Sequence, residues 1–396
     1  MAFRNDTRSG ITILADDLTS AGDGAAPFRR AGHDARILLS TPAAAPPHPV
    51  GVTAVDLGTR ALDEEAAGIR TWRAARLFAD SGLLLKTVDS TLRGHVATEV
   101  RAAWAGSRRR TVVIAPGFPA EGRVTVRGIQ YVRDVPVHES EFARDPAHPV
   151  RCSDLATLLP EAALVEPHQE AELLELTRSG GLIVCSTETD GDLDRVVATV
   201  PRLDDVLWVG SPGLASALAR RCARADGAAS APVPARRPLV VVGSANPATR
   251  RQLAALRAQV DVQGLTVSGD PEPAVKALSG LTAPVLTLQT PDERRAPPTA
   301  RALVGSMAAV VRALAEEQTV DALIVTGGET AATVLPALGA SGIRLLDEPE
   351  PGVARGTLLG RLPLPVLIKA GGFGDDAMLL RLCDLVRQPT DPGEHA

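Results

Sequence analysis

Aromatic side chains are scarce in this sequence. One tyrosine, three tryptophans and six phenylalanines make up 3% of 396 residues, too few for a stacking platform that would hold nucleic-acid bases. The charge points the same way, because 42 basic against 47 acidic residues leave a net charge of -5. Cysteine is limited to Cys152, Cys185, Cys222 and Cys383, with no CxxC pair, which argues against a disulfide framework or a zinc site and fits a reducing cytoplasm. No apolar run approaches the roughly 18 residues of a membrane span. The polar start MAFRNDTRSG leads straight into the strand-like ITILA, without an apolar core of signal-peptide length. A soluble, cytoplasmic protein is expected, with neither nucleic acid nor membrane as partner.

Lysine is the scarcest charge, supplied only by Lys86, Lys276 and Lys369 in a chain that otherwise uses arginine. Two of these close an apolar run just before a small-residue segment, in LLLKTVDSTLRG and LPVLIKAGGFG. A compact ammonium at such a place acts as a point charge toward phosphate or carboxylate, where arginine would offer a planar fork. Lys276 sits in an ordinary helical stretch, PEPAVKALSG.

The chain is longer than one hydrophobic core usually supports, so two domains are expected. Hydrophobic residues at 45% and charged residues at 22% are those of an ordinary globular protein. The Ala- and Pro-rich stretch ARADGAASAPVPARRP lacks any hydrophobic period and reads as a linker, placed at 226–237 between domains 1–225 and 238–396. On both sides of it short apolar runs alternate with helical patterns. ITILA, GLLLK, TVVIA, GLIVC and VLWVG precede the linker, and PLVVVG, LIVTGG and LPVLIK follow it. That alternation predicts an α/β fold of two domains, each a mostly parallel sheet with helices on both faces, with the active site in the cleft between them. The alternating segment GRVTVRGIQYV, with Gly128, predicts a β-hairpin.

In such sheets ligands meet the carboxyl ends of the strands. ILADDLTSAGD places Asp16 and Asp17 after the first strand, where carboxylates either cap the following helix or receive hydroxyls, a proton or hydrated Mg²⁺. KTVDSTLRG gathers Lys86, Asp89, Ser90, Thr91 and Arg93 at another strand end, a set suited to a small anion and a sugar-like hydroxyl. Arg60 in VDLGTRAL offers a further cationic contact. In the second half, GSANPATRRQ sets Asn246 as a helix cap with Pro247 at the first helical position, aiming free N–H groups at a phosphate. VTGGETAATV repeats the device with Gly327, Gly328 and Thr330, and KAGGFGDD with Gly371, Gly372 and Gly374. There is no GxxxxGK[ST] and no GxGxxG, so neither a P-loop nor a Rossmann fingerprint is present.

Read in order, ADDLTSAGD, KTVDSTLRG, APGFPAEGRVTVRGIQYVRDVPVHESEFARDP, VVGSANPATRRQ, TGGETAATV and KAGGFG resemble the four-carbon acid sugar kinase family over nearly the whole chain, from about 11 to 385. The family's kinases act on D-threonate, D-erythronate and 3-oxo-tetronate. The resemblance implies a sugar-acid domain followed by a nucleotide domain. It assigns Asp17, Arg60, Asp89, Ser90 and Thr91 to the acid, and Ser244, Asn246, Gly327, Gly328, Glu329, Thr330 and Gly372 to the nucleotide; the strand-end reading adds Asp16, Lys86 and Arg93 to the acid site and Gly371 to the site for ATP with Mg²⁺. Ser20, Asn246 and Ala370 depart from the residues most members carry, and no charge is lost by these departures. The expected reaction is phosphorylation of the acid's terminal hydroxyl, with Asp17 as first choice of base, Asp89 as second and Lys86 in a catalytic role. A homodimer is a possible assembly. The rival readings are a nicotinamide-dependent hydroxyacid dehydrogenase, opposed by the missing GxGxxG, and a hinged solute-binding protein, opposed by the missing export signal.

Overall fold

A computed structural model of the chain describes residues 10–44, 51–145, 148–224, 233–243, 246–259, 261–292 and 297–387. The chain divides into two compact units, Met1–Gly227 and Ala228–Ala396.

The first unit runs β1 (Ile11–Ala15), α1 (Leu18–Arg30), β2 (Ala35–Leu38), β3 (Val52–Asp56), α2 (Glu64–Leu77), β4 (Leu83–Thr87), α3 (Val96–Ser107) and β5 (Thr111–Ala115). Three short strands come next, β6 (Arg123–Val126), β7 (Ile129–Val132) and β8 (Val135–Pro136). The unit closes with α4 (Leu155–Leu158), β9 (Ala163–Val165), α5 (Glu170–Ser179), β10 (Gly181–Cys185), α6 (Asp190–Thr199), β11 (Val206–Gly210) and α7 (Pro212–Arg221). Its main sheet has the order β2-β3-β1-β4-β11-β5-β10-β9, parallel throughout. The sequences ITILA, VTAVD, LLLKT, TVVIA and VLWVG are apolar almost without interruption, and all five strands are buried at every position. That is the mark of a sheet covered on both faces. Leu14, Val55, Leu84, Ile114 and Val209 form one of those faces, packed with Ala74 of α2 and Val100 and Ala103 of α3.

The path of the chain decides where a ligand can enter. After β1 the chain crosses to β2 on one side; after β4 it crosses to β5 on the other, so β1 and β4 are neighbours whose connections diverge. A crevice opens at the carboxyl ends of such a pair. The motifs beginning at Asp16 and at Lys86 stand on its two sides.

The hairpin is present as β6 and β7, antiparallel and joined through Arg127 and Gly128 at φ 49° and 76°. Two consecutive positive φ values mark the tight turn whose twist suits a hairpin.

The second unit runs β12 (Pro238–Val242), α8 (Pro247–Arg257), β13 (Val262–Thr266), α9 (Pro271–Ser279), β14 (Val285–Gln289) and α10 (Pro297–Glu316). It continues with β15 (Ala322–Thr326), α11 (Gly328–Ala337), β16 (Ala340–Asp347), β17 (Val353–Gly360), β18 (Pro365–Lys369) and α12 (Met378–Arg387). Its strands lie in the order β13-β14-β12-β15-β18-β17-β16, with β17 antiparallel to both its neighbours. Here β12 and β15 are the diverging pair, the chain leaving β12 toward β13 and β15 toward β16. Of the linker, residues 226–232 lie outside the described residues. Ala235, within its remainder, is buried and donates its amide to the Val386 carbonyl at 2.8 Å, so that part packs into the second unit. Among the described residues no helix is long and apolar enough to cross a membrane.

Candidate functional site

Asp16 and Asp17 are adjacent in sequence and differ in work. Asp17 has extended backbone angles (φ -145°, ψ 172°) and caps α1, its Oδ1 accepting the Ser20 amide at 2.7 Å and the Thr19 hydroxyl at 2.9 Å. Its Oδ2 lies 2.6 Å from Arg60 Nη1. Both oxygens are therefore engaged. Asp16 is buried and takes Arg60 Nε on Oδ2 at 2.8 Å, while its Oδ1 is enclosed with no hydrogen-bond partner. Burial raises the Asp16 carboxyl above its ordinary pKa, overriding Arg60. For Asp17 burial pushes the same way, but Arg60 and the cap hydrogen bonds outweigh it and hold the carboxyl below its ordinary value.

Arg60 comes from the single 3₁₀ turn after β3, where its own amide donates to the Asp16 carbonyl at 3.2 Å. Its guanidinium also lies 3.5 Å from Asp89 and donates to Ser20 Oγ at 3.1 Å. Three carboxylates thus share one cation.

Asp89 is the hub of the turn after β4. Its Oδ1 accepts from the Thr91 amide at 2.7 Å and the Thr91 hydroxyl at 2.5 Å, and its Oδ2 from Arg93 Nε at 2.9 Å. Burial opposes ionisation there, yet Arg93, Arg60 and Thr91 together carry the carboxyl well below its ordinary range. Arg93 also lies 3.5 Å from Asp145 and 5.4 Å from the Phe142 ring centre. Ser90 Oγ accepts from Arg123 Nη1 at 2.8 Å.

Lys86 departs from its expected orientation. The sequence reading gave it a ligand-facing ammonium at the strand end. In the structure it is fully buried, with Nζ 2.9 Å from Glu99 Oε2 and 2.7 Å from the Thr87 carbonyl. Glu99 also accepts the hydroxyls of Thr59 at 2.9 Å and Thr71 at 3.2 Å. The physical reason is Glu99 itself: a carboxylate on the inner face of α3 needs a counter-charge, and Lys86 is the one that reaches it.

Sequence reasoning missed three residues here. Glu99 resembles the solvent face of a helix, and Arg123 a plain hairpin residue. Asp56 had a usable signal, since it ends the apolar strand VTAVD as Asp16 follows ITILA. It is buried, takes the Gly58 amide on Oδ1 at 2.8 Å, and its pKa is pushed up to about 7, mainly by burial and also by Asp17 and Asp16. Folded, Asp56 keeps its proton to about pH 7; unfolded, only to about pH 4. Its contribution to stability is complete below that lower value and is lost as pH rises through 7. Asp56→Asn should therefore raise the melting temperature over the wild type by more at pH 8 than at pH 5. Equal shifts at both values would mean that Asp56 does not titrate in this way.

In the second unit, Val242, Thr326 and Lys369 pair in one row across β12, β15 and β18, so the three small-residue turns leave the sheet side by side. Asn246 caps α8 through the Ala248 amide at 2.9 Å. Thr249 Oγ1 donates to the Gly371 carbonyl at 2.7 Å and Gln252 Nε2 to that of Phe373 at 2.9 Å, stitching α8 to the third turn. Gly243 is dictated by contact, because a Cβ there would overlap the Thr330 hydroxyl. Gly327 has φ 89° and donates its amide to the Lys369 carbonyl at 2.8 Å before α11 begins at Gly328. Glu329 is exposed in the first turn of α11. Gly372 is exposed, and a Cβ on it would stand 3.7 Å from Asn246 Nδ2. Lys369 donates Nζ to the carbonyls of Ala370 at 2.9 Å and Phe373 at 3.0 Å, and burial lowers its pKa to about 8. Ser244 lies outside the described residues. The structure thus brings Asn246, Gly327, Gly328, Thr330, Gly371 and Gly372 to one edge of the unit, with the amino ends of α8 and α11 beside them. No group of three or more His, Cys, Asp or Glu side chains is arranged to hold a metal ion among the described residues.

Comparison with known proteins finds a separate family match for each unit. Residues 11–218 match the family profile described as a sugar-binding N-terminal domain, and residues 239–379 the one described as a nucleotide-binding C-terminal domain. A D-threonate kinase of Bordetella bronchiseptica is 35% identical, with 96% of this chain and 98% of the relative covered. A D-erythronate kinase of Heliobacterium modesticaldum is 28% identical (93% and 94% covered), as is a 3-oxo-tetronate kinase of Methylobacterium radiotolerans (95% and 99%). Among solved structures, one from Salmonella typhimurium described as a putative tRNA synthase superposes with a TM-score of 0.78 over 94% of this chain and 98% of its own; at 22% identity it speaks for the fold alone. Another, a domain of unknown function from B. bronchiseptica with bound citrate, described as a domain-swapped dimer, is 34% identical with a TM-score of 0.50 over 95% and 98%. With family profiles on both units and full-length relatives of this similarity, the chain belongs to the four-carbon acid sugar kinase family.

Proposed function

We propose that the protein is an ATP-dependent kinase that phosphorylates the terminal hydroxyl of a four-carbon sugar acid. The observation that carries this reading is that relatives matched from end to end are all named as kinases of such acids. The dehydrogenase alternative has no such support. D-threonate heads the candidates, because the relative at 35% identity carries that name while those named for D-erythronate and 3-oxo-tetronate stand at 28%.

In this reading the turns after β12, β15 and β18 take the nucleotide's phosphates on backbone N–H groups at the amino ends of α8 and α11. Mg²⁺ would arrive with those phosphates and neutralise their charge. The acid lies over Asp16, Arg60 and the turn from Asp89 to Arg93. Its terminal oxygen bonds to the γ-phosphorus, the bond from that phosphorus to the β–γ bridging oxygen breaks, and ADP leaves. The hydroxyl proton goes to a carboxylate. Asp17 and Asp89 were the bases expected from sequence; their oxygens are committed to amides, hydroxyls and arginines, and Asp16 Oδ1 is the better acceptor because no protein donor occupies it. Arg60 then serves to hold Asp16 in place, and Lys86 to balance Glu99 beneath the site.

A homodimer is the assembly this reading favours, supported by the dimeric description of the B. bronchiseptica structure. Four unpaired cysteines support a reducing, cytoplasmic setting. The test is ADP release on a panel of D-threonate, D-erythronate and 3-oxo-tetronates with Mg-ATP. Acid-dependent release with at least one of them is the expected outcome; release with none would overturn the proposal.

A further inference from the structure

Of the cations near the sugar-acid site, three already face carboxylates. Arg60 is shared by Asp16, Asp17 and Asp89; Arg93 is held by Asp89 and Asp145; Lys86 is spent on Glu99. A carboxylate arriving with the substrate would have to break one of these pairs to gain a partner. Arg123 is different. Its Nη1 donates to the neutral Ser90 hydroxyl, its Nε is enclosed without any hydrogen-bond partner, and no carboxylate lies within ion-pair distance of it among the described residues. Asp89, Glu121 and Asp23 act on it only at longer range, and burial lowers its pKa, as it does for a guanidinium without a counter-ion.

We propose that Arg123 receives the carboxylate of the sugar acid and thereby makes the enzyme select acids over neutral polyols of the same length. The proposal rests on the kinase reading above and names the residue that reads the substrate's charge. Leaving a buried charged donor unpaired is costly, and a carboxylate that completes it gains a charge-assisted bond of the strong kind. The planar fork suits that geometry as lysine would not.

Arg123 is also held rigidly, which a recognition group requires. Its backbone exchanges hydrogen bonds with Phe118, at 2.6 and 3.1 Å. Thr125, two residues on, exchanges a pair with Thr187 beyond β10, both at 2.9 Å, which pins the hairpin to the main sheet. Gln130 on β7 is fully buried, accepting from Thr125 Oγ1 at 2.6 Å and donating to the Ser90 carbonyl at 2.8 Å. The hairpin and the Asp89–Arg93 turn are therefore one framework, with the unpaired guanidinium at their junction.

The test compares wild type with Arg123→Met, which keeps length and loses charge, and Arg123→Lys, which keeps charge and loses the fork. Equilibrium binding of D-threonate and of the neutral polyol threitol is measured alongside KM and kcat. For Arg123→Met, Kd and KM for the acid should rise about ten- to hundred-fold, kcat and the nucleotide KM should stay within a few-fold, and the preference for acid over threitol should vanish. Arg123→Lys should recover part of that preference. If Arg123 only props Ser90, both ligands will weaken by the same factor and the proposal fails, as it does if acid binding is unchanged. Wild type that binds D-threonate but transfers no phosphoryl group would sink the kinase reading alone. An acid that binds equally to wild type and Arg123→Met would sink this proposal alone.

Discussion

Replacing Asp16 by Asn should lower kcat by on the order of 10² to 10⁴-fold, the range expected when a positioned proton acceptor is lost. Asn keeps the shape and an oxygen for Arg60 Nε, so the effect belongs to the chemical step rather than to folding. Asp16 Oδ1 is enclosed and unpartnered, and burial raises the pKa of its carboxyl, whereas those of Asp17 and Asp89 are held below their ordinary values, which makes it a stronger base than either. Asp17→Asn should fall short of that loss, because Asp17 already spends Oδ1 on the cap of α1 and Oδ2 on Arg60. Asp89→Asn should act chiefly on binding, through release of Arg93 and Thr91. Single-turnover rates at saturating ATP and acid measure the comparison. A larger chemical-step defect at Asp17 would return it to the role expected from sequence. Small defects at all three would fit a loose transition state that asks little of any base.

The second large effect concerns the interior. Glu99→Ala should destabilise the protein by about 3–5 kcal/mol, because it strips the ion-paired carboxylate from a fully buried ammonium and leaves the Thr59 and Thr71 hydroxyls without their acceptor. Against a typical stability of about 5–15 kcal/mol that is a large fraction. Lys86→Met alone should cost a similar amount by stranding Glu99. The double replacement Lys86→Met with Glu99→Leu should restore most of it, since a well-packed apolar pair substitutes for a buried ion pair at little cost. Chemical denaturation of the three variants measures this. If Lys86→Met keeps full stability and instead raises KM for the acid alone, Lys86 is a substrate contact and the internal pairing is not its function.

The architecture was legible in the sequence wherever the strands are buried on both faces. ITILA, TVVIA, GLIVC and VLWVG carry a continuous apolar signal and appear as strands at or within a residue of where it places them. Less was visible at the edges. VQGLT in β13 is mixed in character because an edge strand has one unpaired side, and β17 follows β16 directly and antiparallel, with no helix between them. The motifs fall on the turns at the carboxyl ends of strands, because such turns follow from the alternation itself. What they do not encode is which oxygen or nitrogen is spent within the protein and which is left over. Asp16 and Asp17 are chemically identical and one residue apart; only the helix start separates a cap from an open acceptor. Lys86 and Lys369 end similar strands, yet Glu99 stands over the first while Lys369 donates to the backbone carbonyls of Ala370 and Phe373. Such distinctions depend on side chains tens of residues away.

The divergence of the chain at β1 and β4 bears on how the family changes substrate. The crevice there exists because of the order in which strands were laid down, so its presence does not depend on any residue that lines it. Under the proposed function, positions in the loops that meet the acid's hydroxyls could therefore change over this floor, while Arg123 keeps the carboxylate that all such acids share. Relatives that match this chain over nearly its whole length are named for three different tetronic acids. If the proposed function holds, redesign of the acid preference would start from those loops, since exchanges within the five fully buried strands act first on stability.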